Sequence, residues 1–181
     1  MKNHPIKPGS KLDLSQCDPG DTGDYKKNEQ GKEKAKAVTE KLIGKLDELQ
    51  ERLFANGNRA LLIVLQVMDT SGKDGVIKHV MSGVNPQGCK VVTFKTPSAE
   101  ELKHDFLWRV HQKAPEKGQI GIFNRSHYES VLVCKVHPEY NLSEKVWSNI
   151  NQIDDDFWKN RYESICDFEK HLSRNGTTII K

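Results

Sequence analysis

The sequence has no long apolar run and lacks the cysteine patterns of metal-binding and secreted proteins. None of its apolar stretches approaches the ~18 residues that can span a bilayer, and the N-terminus has no signal-peptide core. Its four cysteines show neither Cys-x-x-Cys nor zinc-site spacing: Cys17, Cys89, Cys134 and Cys166. We therefore expect a soluble, cytoplasmic protein with free thiols and no membrane partner.

The chain also lacks a large excess of either charge. It has 28 Lys and Arg against 25 Asp and Glu in 181 residues, which leaves a net charge of +3. A nucleic-acid partner is not expected, and any polyanion site must be a local group of basic residues. The length fits one domain, or one domain with an appendage. Residues 1–32 have few apolar residues and are predicted to form a flexible arm before a folded domain over residues 33–181.

Residues 61–75 carry the clearest pattern in the chain. Leu61–Leu65 is a continuous apolar run, typical of a strand buried on both faces, and small polar residues follow it up to Gly75. A helical pattern then begins. Strand, polar loop ending in Gly72-Lys73, and helix is the order of a phosphate-binding loop, in which backbone N–H groups and the lysine contact phosphate. The alternative is a polar turn with a solvated lysine.

This loop meets the usual motif, G-x-x-x-x-G-K-[ST], only in part. Val67 stands where the first glycine would be, and Asp74 stands where a serine or threonine normally binds magnesium. Asp69 is a candidate carboxylate ligand in its place. The candidate phosphate- or substrate-binding residues of the segment are Ser71, Gly72, Asp74 and Gly75.

A second group of polar residues follows the predicted strand Gly118–Phe123, at the position of a Walker B group. Asn124 would bind the metal more weakly than an aspartate, because it brings no charge, and Glu129 is expected to compensate in part. Arg125 is a candidate for stabilising charge on the transferred phosphoryl group. His127 is either a proton carrier or, as we favour, a structural residue.

Apolar periodicity predicts the remaining elements. These are a helix over 34–54 whose apolar side chains face a core, a strand over 89–94, a helix after a Ser98–Glu101 capping box, a short helix over 131–136, a long helix over 143–171 and a strand from Thr177. Arg109 is either a surface residue that compensates a helix dipole or a ligand contact. The Asp154–Asp156 run is more typical of a solvated helix face than of a metal site.

Four motifs together resemble the polyphosphate kinase 2 family, in particular its polyphosphate:AMP and polyphosphate:ADP phosphotransferases. They are Gln66–Gly75, Met81–Gly88, Phe106–Arg109 and Ile122–Glu129. The resemblance implies a thymidylate-kinase-like P-loop fold, a three-layer α/β/α arrangement with a parallel sheet. It also implies the use of Mg²⁺, with polyphosphate as donor and AMP or ADP as acceptor. We further expect a homo-oligomer.

By the same resemblance, Asp69 and Lys73 match the family's Walker A carboxylate and lysine, and Asn124 and Arg125 match its Walker B pair. Asp69 and Asn124 are then the expected metal ligands. The family has an Arg/Lys-rich lid after the fourth strand, and we expect this chain to be shortened before it. Two other functions stay open: an ATP-dependent nucleoside monophosphate kinase, and an inactive polyphosphate-binding module.

Overall fold

The computed structural model describes residues 9, 11, 13, 15, 17, 18, 20–67 and 72–181. Two residues expected at the site, Asp69 and Ser71, therefore lie outside the described residues. The chain divides into two compact units, Met1–Gly44 and Lys45–Lys181. The flexible arm expected over residues 1–32 and the domain expected over 33–181 stay predictions.

The first predicted helix is present as α1, Glu29–Asn56, but its predicted inner face is only partly buried, at Leu46 and Leu53. Three apolar side chains expected to face a core are exposed: Val38, Leu42 and Leu49. The buried residue in its second half is Gln50, which is only 2% exposed. A Cβ on Gly88 would lie 1.6 Å from Gln50 Nε2, so the glycine lets this polar side chain pack closely. Apolar periodicity identified the helix but only part of the face that packs.

Four parallel strands form the sheet of the Lys45–Lys181 unit, in the order β2-β3-β1-β4. This confirms the predicted α/β class. The strands are β1, Ala60–Leu65; β2, Cys89–Thr93; β3, Ile120–Asn124; and β4, Thr177–Ile180. Every residue of β3 is buried, as expected for a central parallel strand.

The core lies beside the middle of the sheet, where Leu62 of β1 and Phe123 of β3 are fully buried. Helix α5, Asp155–Arg174, packs against β4 and contributes Ile165 and Phe168 to the same cluster. The three shorter helices of this unit are α2, Lys73–Val80; α3, Trp108–His111; and α4, Val133–Val136.

The helix expected after the Ser98–Glu101 capping box is broken. The box itself forms, since Ser98 N–H donates to Glu101 Oε2 at 2.7 Å and Glu101 N–H donates to Ser98 Oγ at 3.2 Å. However, only one 3₁₀ turn follows, Glu101–Lys103. Asp105 Oδ1 then accepts a hydrogen bond from Leu107 N–H at 2.9 Å, which offers the backbone an alternative to helix.

The long helix expected over 143–171 is also shorter. Two 3₁₀ segments come first, Pro138–Glu144 and Ile150–Gln152, and α5 starts only at Asp155. Asp154 Oδ1 caps α5 by accepting from Phe157 N–H at 2.9 Å. Asp155 and Asp156 occupy the first turn, where the helix dipole favours carboxylates. The exposed Asp154–Asp156 run therefore marks a helix start.

The structure also shows the state of the cysteines and the apolar content of the helices. Cys17, Cys89, Cys134 and Cys166 are all free, as predicted. Among the described residues, no helix is both long and apolar enough to cross a bilayer.

Candidate active site

The site is organised by the pairing of β1 with β3. Leu65, the last residue of β1, is the register partner of Asn124, the last residue of β3. Arg125 N–H then donates to Leu65 O at 3.1 Å, which continues the ladder beyond β3. The residues that leave both strands therefore meet at the carboxyl edge of the sheet, where α/β proteins bind ligands.

Helix α2 begins at this edge from a left-handed glycine. Gly72 is its N-cap residue, with φ 83° and ψ 6°, a conformation that favours glycine. Gly72 O accepts from Val76 N–H at 3.0 Å, and no side chain caps the helix start. The first N–H groups of a helix have no acceptor within it, so they are suited to bind an anion beside Lys73. The structure does not explain Gly75, since a Cβ there would meet nothing within 4 Å.

Asp74 and Asn124 connect α2 to the end of β3. Asn124 Nδ2 donates to Asp74 Oδ1 at 2.6 Å. Asn124 is 7% exposed, and its Oδ1 is buried with no hydrogen-bond partner in the described part of the chain, whereas Asp74 is exposed. The structure thus brings together two predicted site residues that are 50 positions apart in the sequence.

Arg125 has an unusual backbone conformation. Its φ of 61° lies in the left-handed region, and among the described residues the only other non-glycine with positive φ is Lys145. Such a conformation costs a non-glycine residue about 1–2 kcal/mol and is often retained at functional sites. The strain supports the predicted role of Arg125 at the site.

Glu129 is connected to the end of β1 through two residues that were not predicted as site residues, Gln66 and Ser126. Gln66 Nε2 donates to Glu129 Oε1 at 2.7 Å, and Ser126 Oγ donates to Gln66 Oε1 at 2.9 Å. Ser126 Oγ also accepts from Tyr128 N–H at 3.1 Å. Their position in the sequence could have identified them, because Gln66 and Ser126 each closely follow a buried strand.

The Arg109 side chain contacts other parts of the protein. Its Nη2 donates to Lys95 O at 2.9 Å, its Nε lies 3.3 Å from Glu101 Oε1, and its guanidinium lies 5.2 Å from the Phe94 ring centre. These contacts connect α3 to the loop after β2. Substrate binding by Arg109 stays a prediction.

His127 is buried in a polar cluster with Tyr128, Glu169 and Lys181. Its side chain is 0% exposed, and its Nε2 lies 3.3 Å from Glu169 Oε1, which also accepts from Tyr128 Oη at 2.7 Å. Lys181 Nζ donates to Tyr128 Oη and to Glu169 Oε2. Burial raises the pKa of Glu169, but hydrogen bonds from His127, Lys181 and Tyr128 outweigh it and lower the pKa to about 2. This arrangement agrees with the structural interpretation of His127.

A family model described as "Polyphosphate kinase 2 (PPK2)" matches residues 29–181. The chain belongs to the polyphosphate kinase 2 family. A crystal structure of polyphosphate kinase 2 from Arthrobacter aurescens TC1 is similar, with a TM-score of 0.81 and 40% identity. The match covers 96% of this chain and 57% of that one. The likeness agrees with the P-loop kinase type of fold implied by the sequence motifs.

Two curated relatives are similar in sequence. The "ADP-polyphosphate phosphotransferase" of Rhodopseudomonas palustris is 52% identical over 139 residues, which are 77% of this chain and 48% of the relative. The "AMP/ADP-polyphosphate phosphotransferase" of Meiothermus ruber is 42% identical over 181 residues, 100% of this chain and 62% of the relative. The chain therefore spans about half to three-fifths of the length of these polyphosphate kinase 2 relatives.

The side chains at the edge of the sheet fit the magnesium ion expected for the polyphosphate kinase 2 family. Asp74 and Asn124 supply carboxylate and amide oxygens, which are the ligands that Mg²⁺ prefers. The exposed carboxylate of Asp74 retains free acceptor capacity, and the hydrogen-bonded Asn124 contributes a buried amide oxygen that has no partner among the described residues. Within the described ranges, no three His, Cys, Asp or Glu side chains form a ready metal site.

Proposed function

We propose that the chain transfers a phosphoryl group from inorganic polyphosphate to AMP, ADP or both. The observation that carries this proposal is the junction of Asp74 at the start of α2 with Asn124 at the end of β3, in a chain of the polyphosphate kinase 2 family. The names of the two relatives, which specify polyphosphate with ADP or with AMP and ADP, support this choice of donor and acceptor.

The proposed reaction depends on positioning and charge. The terminal phosphate of polyphosphate binds at the first N–H groups of α2 and beside Lys73, and a phosphate oxygen of the nucleotide attacks in line. Arg125 stabilises the charge on the transferred phosphoryl group. An oxygen of a nucleotide phosphate is already ionised at neutral pH, so the transfer needs no strong general base.

Mg²⁺ is the proposed cofactor, with Asp69 and Asn124 as the ligands expected from the sequence; Asn124 is hydrogen-bonded to Asp74. When bound, the ion supplies positive charge that neutralises the donor and acceptor phosphates. Residues of the chain orient the two substrates around it. The expected homo-oligomer is a further part of this proposal, and sedimentation velocity of the purified chain would measure it.

The nucleotide products show whether the chain uses polyphosphate or ATP as its phosphoryl donor. AMP and ADP are each incubated with Mg²⁺ and either polyphosphate or ATP, and the products are separated by ion-exchange chromatography. We expect ADP from AMP or ATP from ADP when polyphosphate is supplied. Product from AMP with ATP alone would instead indicate a nucleoside monophosphate kinase. Polyphosphate binding without any product would indicate a binding module.

Substitution of Lys73 tests whether the loop acts in catalysis. We expect Lys73→Ala to lower turnover about 100-fold or more, because it removes a charge that contacts the transferring group. Since the side chain is not part of the core, the free energy of unfolding should change by less than about 1 kcal/mol. Lys78→Ala, at an exposed position of the same helix, is the control and should retain activity. Equal turnover of Lys73→Ala and wild type would contradict the assignment.

A further inference from the structure

Asp74 and Asn124 each depart from the usual P-loop pattern. In the usual arrangement, a Ser or Thr at the start of the helix and an Asp at the Walker B strand hold the magnesium ion. Here the helix carries the carboxylate and the strand carries the neutral residue. The structure joins these two departures by a 2.6 Å hydrogen bond between Asn124 Nδ2 and Asp74 Oδ1.

We propose that the carboxylate has been exchanged between the two elements, so that Asp74 is an anionic metal ligand and Asn124 is its positioning residue. The inference rests on the proposed function for the purpose of the cation. It differs from the expected ligand set, in which Asn124 binds the metal and Asp74 contacts substrate. It also explains why a neutral side chain is tolerated at the end of β3.

The hydrogen bond determines which way the Asn124 amide faces. An ionised carboxylate only accepts hydrogen bonds, so the NH₂ group of Asn124 must face Asp74. The amide oxygen, Asn124 Oδ1, therefore points away from the carboxylate. In this geometry Asn124 orients Asp74 and does not share a ligand position with it.

The two candidate ligands, Asn124 and Asp74, differ in how far they are buried. Asn124 is 7% exposed and its Oδ1 is buried, so a hydrated cation does not reach that oxygen in this structure. Asp74 is exposed, and no hydrogen bond to its Oδ2 is present in the described residues. Mg²⁺ usually keeps several waters and binds through one or two carboxylates, which suits an exposed carboxylate.

The surroundings of Asp74 also favour a charged ligand there. Asp74 lies in the first turn of α2, where the helix dipole stabilises a carboxylate. The other acidic side chain that follows β3, Glu129, already accepts a hydrogen bond from Gln66. Asp69 lies outside the described residues, and the exchange does not depend on whether it also binds the ion.

Mn²⁺ binding tests whether Asp74 is a metal ligand. It is measured by electron paramagnetic resonance with Mn²⁺ alone, without nucleotide or polyphosphate. We expect Asp74→Asn to weaken Mn²⁺ binding at least tenfold. Asp74 is exposed, so the fold is not at risk. The matched control is Asp167→Asn, which removes an exposed carboxylate of α5 that pairs with Lys170. This variant should bind Mn²⁺ as wild type does.

Moving the carboxylate from position 74 to position 124 tests whether it has been exchanged between α2 and β3. Asp74→Ser should lose Mn²⁺ binding as Asp74→Asn does, and the double variant Asp74→Ser/Asn124→Asp should recover binding to within about threefold of wild type. Wild-type affinity in Asp74→Asn, no Mn²⁺ binding by wild type, or no recovery in a folded double variant would each overturn the proposal. Because no phosphoryl donor is present, a failure of the proposed function appears separately, in the product assay.

Discussion

At the scale of single residues, Arg125 combines an unfavourable backbone conformation with a charged side chain suited to the chemistry of the site. Its φ of 61° is unfavourable for any residue with a Cβ, yet arginine is present between the end of β3 and the turn that starts at His127. A glycine would adopt this conformation without strain. We infer that the guanidinium is retained for its charge at the site.

Arg125→Gly should therefore separate stability from activity. We expect the free energy of unfolding to stay unchanged or rise by up to about 1 kcal/mol, because the substitution removes left-handed strain. Turnover with polyphosphate should fall about 100-fold or more, because a charge that stabilises the transition state is lost. Urea denaturation and the product assay measure the two effects.

The chain contains a matched control for this substitution. Lys145 has the same φ of 61°, at the end of the Pro138–Glu144 turn, and its side chain is exposed. Lys145→Gly should relieve the same kind of strain and leave turnover unchanged. If Arg125→Gly lost stability and activity together, Arg125 would be a structural residue.

At the scale of elements, Glu169 of α5 connects the turn after β3 to the residue after β4. It accepts hydrogen bonds from Tyr128 and Lys181 and lies beside His127. The folded state holds the pKa of Glu169 at about 2, against an ordinary value of 4.5. A lowered pKa stabilises the fold above the ordinary value, and that contribution disappears as pH falls toward the folded value.

Glu169→Gln should consequently change the dependence of stability on pH. The difference in free energy of unfolding between wild type and the variant should be constant above the ordinary pKa of 4.5 and shrink as pH falls to about 2. Urea denaturation at a series of pH values measures it. Tyr128→Phe removes one donor to Glu169 and should narrow the pH range over which wild-type stability falls. A difference that is the same at all pH values would mean that Glu169 contributes through packing alone.

A second contact of α5 involves a buried ion pair. Arg161 is 4% exposed and donates to both carboxylate oxygens of Glu144 at 2.9 Å, while its guanidinium lies 4.1 Å from the centre of the Phe106 ring. Removing one partner leaves a buried charge without compensation. The pair therefore holds α5 against the Pro138–Glu144 turn.

Glu144→Ala should lower the free energy of unfolding by about 3–5 kcal/mol, because the Arg161 charge stays buried. Asp167→Ala breaks the exposed pair of Asp167 with Lys170 on the same helix and should change stability by less than about 1 kcal/mol. Thermal or urea denaturation compares them. Similar losses in the two variants would show that burial of the pair is unimportant.

Sequence patterns predicted the strands better than the helices. The buried runs at β1 and β3 have few alternatives to a parallel sheet, and their bounds were predicted closely. Periodicity continued helices through Asp105 and Asp154, where side chains bond to the backbone and break or start a helix. A local sequence pattern does not show which side-chain hydrogen bond to the backbone will form, so it cannot predict where such a bond breaks or starts a helix.

The site was predictable as a set of residues but not as a set of contacts. The loop and the polar residues after β3 were identified from their positions at strand ends. Their connection through Asp74 and Asn124, 50 residues apart, required the register of β1 against β3. The role of Gln66 between Ser126 and Glu129 depends on the same register.

At the scale of the Lys45–Lys181 unit, the core and the site occupy different parts of the sheet. Leu62 is fully buried in the middle of β1, whereas the site residues follow the carboxyl ends of β1 and β3. Mutations in the core should therefore change how much protein is folded, and mutations at the edge should change what the folded protein does.

Leu62→Ala tests this separation. It should lower the free energy of unfolding by about 2–5 kcal/mol, because it leaves a cavity among closely packed side chains. Turnover per folded molecule should match wild type at temperatures where the variant is folded. Val91→Ala, on the edge strand β2 and 48% exposed, is the control and should lower stability by less than about 1 kcal/mol. If turnover per folded molecule fell in Leu62→Ala, core packing would help to hold the geometry of the site, and stability and catalysis would be coupled through β1.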